Sequence, residues 1–166
     1  MMSADLTHLA ERLLELCREQ GLRLATAESC TGGLVAGAIT NVAGSSDAFD
    51  RGFVTYSNAA KEEMLGVPCD ILERFGAVSA ETARAMAHGA VERSFADIAV
   101  AVTGVAGPGG GSAEKPVGLV HFACLRRHAG VEHVERRFGP LTREAIREAS
   151  IRQALEMMIE AAQRRP

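Results

Sequence analysis

The chain has 166 residues, 47% of them hydrophobic and 23% charged, which suits one soluble globular domain with a sizeable core. Its net charge of -3, with no aromatics set among its basic residues, excludes a surface that draws it to nucleic acid. Its apolar runs fall far short of the roughly 20 residues of a membrane span, and the N-terminus lacks a basic start and an unbroken apolar core; neither a span nor a signal peptide is expected, and the protein is placed in the cytoplasm.

Residues 5–19 are predicted as a helix, because Leu6, Leu9, Ala10, Leu13, Leu14 and Cys17 recur at helical spacing and Gly21 follows as a stop. A short strand is predicted over 22–27, a helix rich in small residues over 32–42, and a loop over 42–49. A second strand over 52–57 leads into a short helix over 58–66, closed by Gly66. Pro68 opens another short helix. Ser79 is the expected N-cap, and Glu81 the first-turn acid, of a helix reaching about Ser94. DIAVAVTG (97–104) is a continuous apolar run of the kind covered on both faces of a sheet. After the glycine-rich VAGPGGGSAEKPVG come two strands, 118–127 and 131–138, joined through HAG as a hairpin. Thr142 caps a last helix to about Gln163. Helices and strands that alternate, then a late hairpin, predict a single three-layer α/β/α domain over 1–166 with a mixed sheet, and no linker or internal repeat.

Four cysteines (Cys17, Cys30, Cys69, Cys124) lie far apart without a C-x-x-C, and five histidines show no ligand spacing. Neither a disulfide framework nor a metal site is expected. The pairs Arg126/Arg127, Arg136/Arg137 and Arg164/Arg165 read as solvated surface. Lys61 and Lys115 are the only lysines. Chemistry that needs a neutral amine has only these two, because arginine keeps its proton.

The polar islands follow strands. TAESCTGG (26–33) ends a predicted strand and opens a helix, the context of a nucleophile elbow, although Ala27 and Thr31 stand where that motif has glycines. Ser29 is then either a nucleophile or a plain N-cap. The amides of Thr31, Gly32 and Gly33 would start the helix without partners and could hold a phosphate or an oxyanion. Cys30 is the neighbouring alternative nucleophile, since a helix N-terminus can acidify a thiol. TYSNAAK (55–61) places Tyr56, Asn58 and Lys61 after the second strand. If the two strands are neighbours, these residues meet Ser29: a serine needs a base, and a buried lysine can serve, with Tyr56 as a proton relay; otherwise Lys61 is a surface lysine on a short helix. The loop GVAGPGGG fits neither a P-loop nor G-x-G-x-x-G; it is either a ligand loop or a long surface turn. Ser112 and Lys115 match S-x-x-K by chance, because no helix is expected between the glycines and Pro116.

TAESCTGGLVAGAIT, GFVTYSNAAKEEMLGV, GAVSAETARAMAHGA and AVTGVAGPGGGSAEKPVGLV, in that order, resemble the C-terminal domain of the competence/damage-inducible CinA proteins, over about residues 5–163. That domain also occurs alone as a nicotinamide-nucleotide amidohydrolase. The resemblance implies a mixed α/β/α fold and no metal or other cofactor. It implies a homodimer that hydrolyses the carboxamide of nicotinamide mononucleotide to nicotinate mononucleotide and ammonia, in pyridine nucleotide salvage. It carries the catalytic serine, tyrosine and lysine onto Ser29, Tyr56 and Lys61. It places substrate binding at Ala27, Glu28, Cys30, Thr31, Gly32, Gly33, Asn58, Thr103, Gly104 and Gly107. Where the family often shows FxGxR, this chain has FGPLTREAIR, so Arg143 and Arg147 are the expected phosphate contacts. The nucleotide-hydrolysing domain of many full-length members is not among these residues, and its activity is not carried over. The competing reading is a nucleotide-binding or regulatory module without turnover. A DNA-processing accessory role fits the charge poorly.

Overall fold

Five strands and six α-helices build the fold, and the computed structural model describes residues 2–164. In chain order they are α1 (Ala4–Gln20), β1 (Leu24–Glu28), α2 (Leu34–Thr40), β2 (Phe49–Val54), α3 (Asn58–Leu65), α4 (Cys69–Phe75), α5 (Ala80–Glu92), β3 (Ile98–Gly104), β4 (Leu119–Arg126), β5 (Gly130–Arg137) and α6 (Arg143–Gln163). The strand order is β2-β1-β3-β4-β5. The first three are parallel, and β4 and β5 add an antiparallel hairpin. This is the mixed α/β sheet expected from the sequence.

Successive side chains of a strand point to opposite faces. Ile98, Val100 and Val102 of β3 join Val120, Phe122 and Cys124 of β4 beneath α1, α2 and α6. The other face is almost all alanine: Ala25, Ala27, Ala99, Ala101 and Ala123. Helix α5 lays Ala83, Met86, Ala87 and Ala90 on it, with Leu65 of α3 and Leu72 of α4 alongside. Small residues on both partners let α5 lie close to the sheet. Ser3, Ser57 and the predicted caps Ser79 and Thr142 each accept the amide three residues on and start α1, α3, α5 and α6.

Three readings of the sequence need correction. The second strand covers Phe49–Val54, three residues before the predicted 52–57, and a short 3₁₀ turn at Ser45–Asp47 precedes it. Asp50, Arg51 and Gly52 interrupt its apolar alternation, yet Phe49 packs on the core and pairs with Leu24. As a sheet edge it keeps one side in solvent, which thins the signal. The second helix begins at Leu34, because Gly32 and Gly33 take φ of 56° and 98° and turn the chain first. Arg126 and Arg127 are not solvated surface. Arg126 Nη1 donates to the carbonyls of Ala161 (2.9 Å) and Ala162 (3.1 Å). Arg127 donates from Nε to Ala96 O (2.8 Å) and from Nη2 to Val91 O (2.7 Å). They donate to carbonyls around the C-terminal ends of α6 and α5, where positive charge suits the helix dipole. Arg165 lies outside the described residues. Among the described residues no helix is long and apolar enough to cross a membrane.

A Cβ on Gly89 of α5 would strike the Leu65 carbonyl of α3. Gly89→Ala should therefore lower stability by about 1–3 kcal/mol. Gly37, exposed in α2 with open space around it, should gain about 0.5–1 kcal/mol as alanine. Thermal melts read both signs; a Gly89→Ala protein as stable as its parent contradicts the α3–α5 contact.

Candidate active site

The parallel strands β2, β1 and β3 end at one edge of the sheet. From β1 the chain passes to β2 on one side and later returns to β3 on the other. Open α/β sheets bind ligands outside the carboxyl ends at such a reversal. Ser29 is the first residue past β1, Thr55 the first past β2, and Gly104 ends β3. A cleft of about 290 Å³ opens there. It brings together Ser29, Cys30, Tyr56, Lys61, Thr103, Gly104, Gly107 and Arg143.

Lys61, in the first turns of α3, is only 1% exposed. Its Nζ donates to Ser29 Oγ at 3.0 Å and to Thr55 O at 2.8 Å, its only hydrogen-bond partners among the described residues. Burial pushes its pKa below the ordinary lysine value, against a smaller opposing effect of Cys30. Ser29 is itself nearly buried, and its amide donates to Val102 O at 2.9 Å. The pair therefore combines a fixed hydroxyl with an amine that is destabilised when charged.

Cys30 lines the same cleft, but burial pushes its thiol up to about 12. It stays protonated at neutral pH. The acidifying helix start considered from the sequence does not act on it, because α2 begins four residues later. Tyr56 is 61% exposed, and its hydroxyl accepts from Arg143 Nη2 at 3.0 Å. Among the described residues it bonds to neither Ser29 nor Lys61, so the expected relay between them is not formed. Arg143 Nη1 also donates to Gly107 O at 2.8 Å. One guanidinium thus ties the Tyr56 wall to the glycine loop. Thr103 Oγ1 donates to Ala77 O at 2.8 Å. Gly104 passes so close to β4 that a Cβ would lie 2.7 Å from Leu119 O.

The other expected binding residues lie outside the cleft. Ala27 faces α5 in the core. Glu28, on the opposite face by strand alternation, is fully buried. Its Oε1 accepts the Val35 amide at 2.8 Å and its Oε2 the Ala36 amide at 3.0 Å. The start of α2 is thus capped from within the chain, and its amides are not open to an anion. The Gly32 amide donates to Ser29 O at 3.0 Å. Thr31 is fully buried, Gly33 serves as the N-cap of α2, and Asn58 is exposed at the start of α3. The amides of Thr31 and Gly33 have no partner among the described residues, and that of Cys30 meets only its own thiol. Arg147 donates from Nε to Cys30 O (3.2 Å) and from Nη2 to Thr31 O (3.3 Å).

Sequence reasoning missed Thr55, whose carbonyl holds Lys61, and Ala77 and Val78, which form one wall of the cleft. Main-chain acceptors and apolar wall residues carry no chemical signature in sequence. Lys115 is a structural tie: its Nζ donates to Phe75 O at 2.6 Å, and its amide to Ser112 Oγ at 3.0 Å. His121 and His133 meet across β4 and β5 with ring nitrogens 2.9 Å apart. Among the described residues no group of three His, Cys, Asp or Glu side chains is arranged to hold a metal ion.

Comparison with known proteins decides the family. The model of the CinA C-terminal domain matches residues 6–162. The chain belongs to the CinA C-terminal domain family. A CinA-like protein of Akkermansia muciniphila is 51% identical over 148 residues, which cover 89% of this chain and 36% of that protein. The chain thus spans about a third of the length of such relatives. The crystal structure of the competence/damage inducible protein CihA from Agrobacterium tumefaciens is 57% identical, with a TM-score of 0.97 over 98% of this chain and 99% of that one. A CinA superfamily structure from Klebsiella pneumoniae is 36% identical, with a TM-score of 0.89 over 95% of this chain and 97% of that one. This CinA domain therefore shares its α/β fold with solved members of the family.

The buried amine gives a test by linkage. Lys61 has a folded pKa below its unfolded value of about 10.4. Between the two the unfolded chain binds more protons, so stability rises with pH across that window. Below the window, burial of the ammonium lowers stability in full. Lys61→Met should erase that slope and raise the melting temperature at neutral pH. Urea unfolding of both proteins from neutral pH to about 10.5 reads the difference; parallel curves contradict a destabilised amine.

Proposed function

We propose that the domain is a serine amidohydrolase that converts the carboxamide of nicotinamide mononucleotide into a carboxylate and ammonia. The observation that carries this reading is the buried Lys61 Nζ, 3.0 Å from Ser29 Oγ, at the foot of an open cleft. When Lys61 is neutral, the hydrogen bond can reverse: the Ser29 hydroxyl donates to the amine lone pair, and one N–H still serves Thr55 O. Ser29 Oγ attacks the carboxamide carbon and its proton passes to Lys61. The oxyanion is held by the unpaired amide of Thr31, with the Cys30 amide beside it. Lys61 returns its proton to the leaving nitrogen, the C–N bond breaks, and ammonia departs from an acyl-serine. A water then attacks the ester with Lys61 again as base, and the acid and free Ser29 are released.

Tyr56 accepts from Arg143, so its own O–H is free to face the substrate rather than to relay between Ser29 and Lys61. Arg143 uses two of its guanidinium's five N–H donors on Tyr56 and Gly107. The remaining three suit a phosphate on the cleft rim. Glycine-loop amides close to Gly107 line the same rim. The reading brings with it a cytoplasmic homodimer acting in pyridine nucleotide salvage.

Ammonia release from nicotinamide mononucleotide is the test. Ser29→Ala should abolish it, and Lys61→Met should lower it by about 10²–10⁴-fold. Cys30→Ala should keep activity within a few-fold. Wild-type rate should climb with pH as Lys61 loses its proton. Release that survives Ser29→Ala overturns the serine mechanism. A nucleotide that raises the melting temperature without release of ammonia indicates a binding module instead.

A further inference from the structure

The turn that carries Ser29 is fixed on three sides by ordinary means. Its amide bonds Val102 O on β3, the Thr55 amide bonds Glu28 O at 2.8 Å, and the Glu28 carboxylate caps α2. The Cys30 carbonyl has none of these supports. Among the described residues its only donor is Arg147 Nε. Thr31 O, the next carbonyl, takes the Leu34 amide at 2.9 Å and Arg147 Nη2 as well. One planar guanidinium thus grips two successive carbonyls directly after the nucleophile.

Resting on the amidohydrolase reading, we infer that Arg147 is a positioning residue for Ser29 and its oxyanion site, and not a ligand of the substrate phosphate. The guanidinium reaches the turn from behind. It borders a second cavity of about 500 Å³ among α1, α2 and α6, which shares Arg143 with the cleft, and Arg147 is not part of the cleft lining. It forms no ion pair among the described residues, so main-chain dipoles are its counter-charge. It projects from a firmly seated stretch of α6, between the fully buried Ile146 and Ser150. The chain makes room for it: a Cβ on Gly32 would lie 3.0 Å from Arg147 Nη2, and Gly32 has a φ of 56°.

The peptide plane transmits the effect. In a trans peptide the carbonyl and the following N–H point in opposite directions. A guanidinium that holds Cys30 O therefore directs the unpaired Thr31 N–H to the far side. Lysine cannot replace it, because a point charge does not span two carbonyls as a planar fork does.

The test separates positioning from phosphate binding with a probe that has no phosphate. Ser29 is treated with phenylmethanesulfonyl fluoride, and the sulfonylation rate is followed by intact mass, with Ser29→Ala as the blank. Ammonia release from nicotinamide mononucleotide gives kcat and KM. Arg147→Ala should lower kcat by about 10²-fold, the loss expected from a misplacement of about 1 Å, with KM within about threefold. Its sulfonylation should slow to a similar degree, and guanidinium ion at millimolar concentration should restore part of both rates. Arg143→Ala should instead act mainly by raising KM. Should Arg147→Ala not fold, Arg147→Lys carries the same expectations in milder form, with its melting temperature measured alongside. A raised KM with unchanged kcat and unchanged sulfonylation overturns the inference and makes Arg147 a phosphate ligand. Guanidinium that restores nothing also overturns it. If the wild type releases no ammonia, sulfonylation that depends on Arg147 still upholds the positioning role while the substrate reading fails. A wild-type Ser29 that the sulfonyl fluoride leaves untouched, with ammonia release intact in Arg147→Ala, sinks the inference alone.

Discussion

A buried carboxylate must be met by donors, and in this domain that requirement shapes everything around Ser29. Glu28 has no exposed surface, and both of its oxygens are used by the amides of Val35 and Ala36. Burial of an unpaired charge is prohibitive, so α2 starts where those amides can reach it. The start of α2 in turn fixes the length of the turn between Glu28 and Leu34. Gly32 and Gly33 supply the left-handed backbone that so short a turn needs. Ser29 is thereby left at the strand end facing α3, where strand alternation puts it on the side opposite Glu28. A cap from a strand residue does here what a serine or threonine does at α1, α3, α5 and α6.

The same edge of the sheet collects groups from distant parts of the chain. The end of β2 supplies the Thr55 carbonyl, α3 the Lys61 amine, the loop after β3 the glycines, and the start of α6 the Arg143 guanidinium. Arg143 and Lys61 each divide their bonds between one carbonyl and one side-chain hydroxyl. Lys61 is the one that matters for chemistry. With one carbonyl and one hydroxyl as partners and no carboxylate, it is solvated too poorly to keep its proton at an ordinary pKa.

Much of this is legible in the sequence. Patterned helices such as α1 and the apolar run of β3 were read to within a residue or two, because their burial is periodic or continuous. Two strand-to-helix junctions and the scarcity of lysine make Ser29 and Lys61 candidates for a pair, and the resemblance to CinA C-terminal domains names them as one. What escaped was set by geometry rather than by residue type. The resemblance places Glu28 among the binding residues, yet the period of two in β1 sends it beneath α2. Tyr56 was read as a relay between Ser29 and Lys61, whereas Arg143, 87 positions along the chain, takes its hydroxyl. Arg126 and Arg127 read as surface because charge is usually solvated, but both reach carbonyls at the ends of α6 and α5. None of these long-range choices leaves a local trace.

The alanine-lined face of the sheet has a consequence for recognition. Ala25, Ala27, Ala99, Ala101 and Ala123 meet the alanines of α5, and alanine has no side-chain rotamers to exchange. Contacts of that kind cannot adjust by rotation; they hold their spacing or break it. The residues immediately before α5, Ala77 and Val78, form one wall of the cleft, and Thr103 bonds the Ala77 carbonyl. That wall inherits the stiffness of the interface behind it. Fit on this side is set by the outline of the ligand itself, while the exposed Tyr56 side is where the protein can yield.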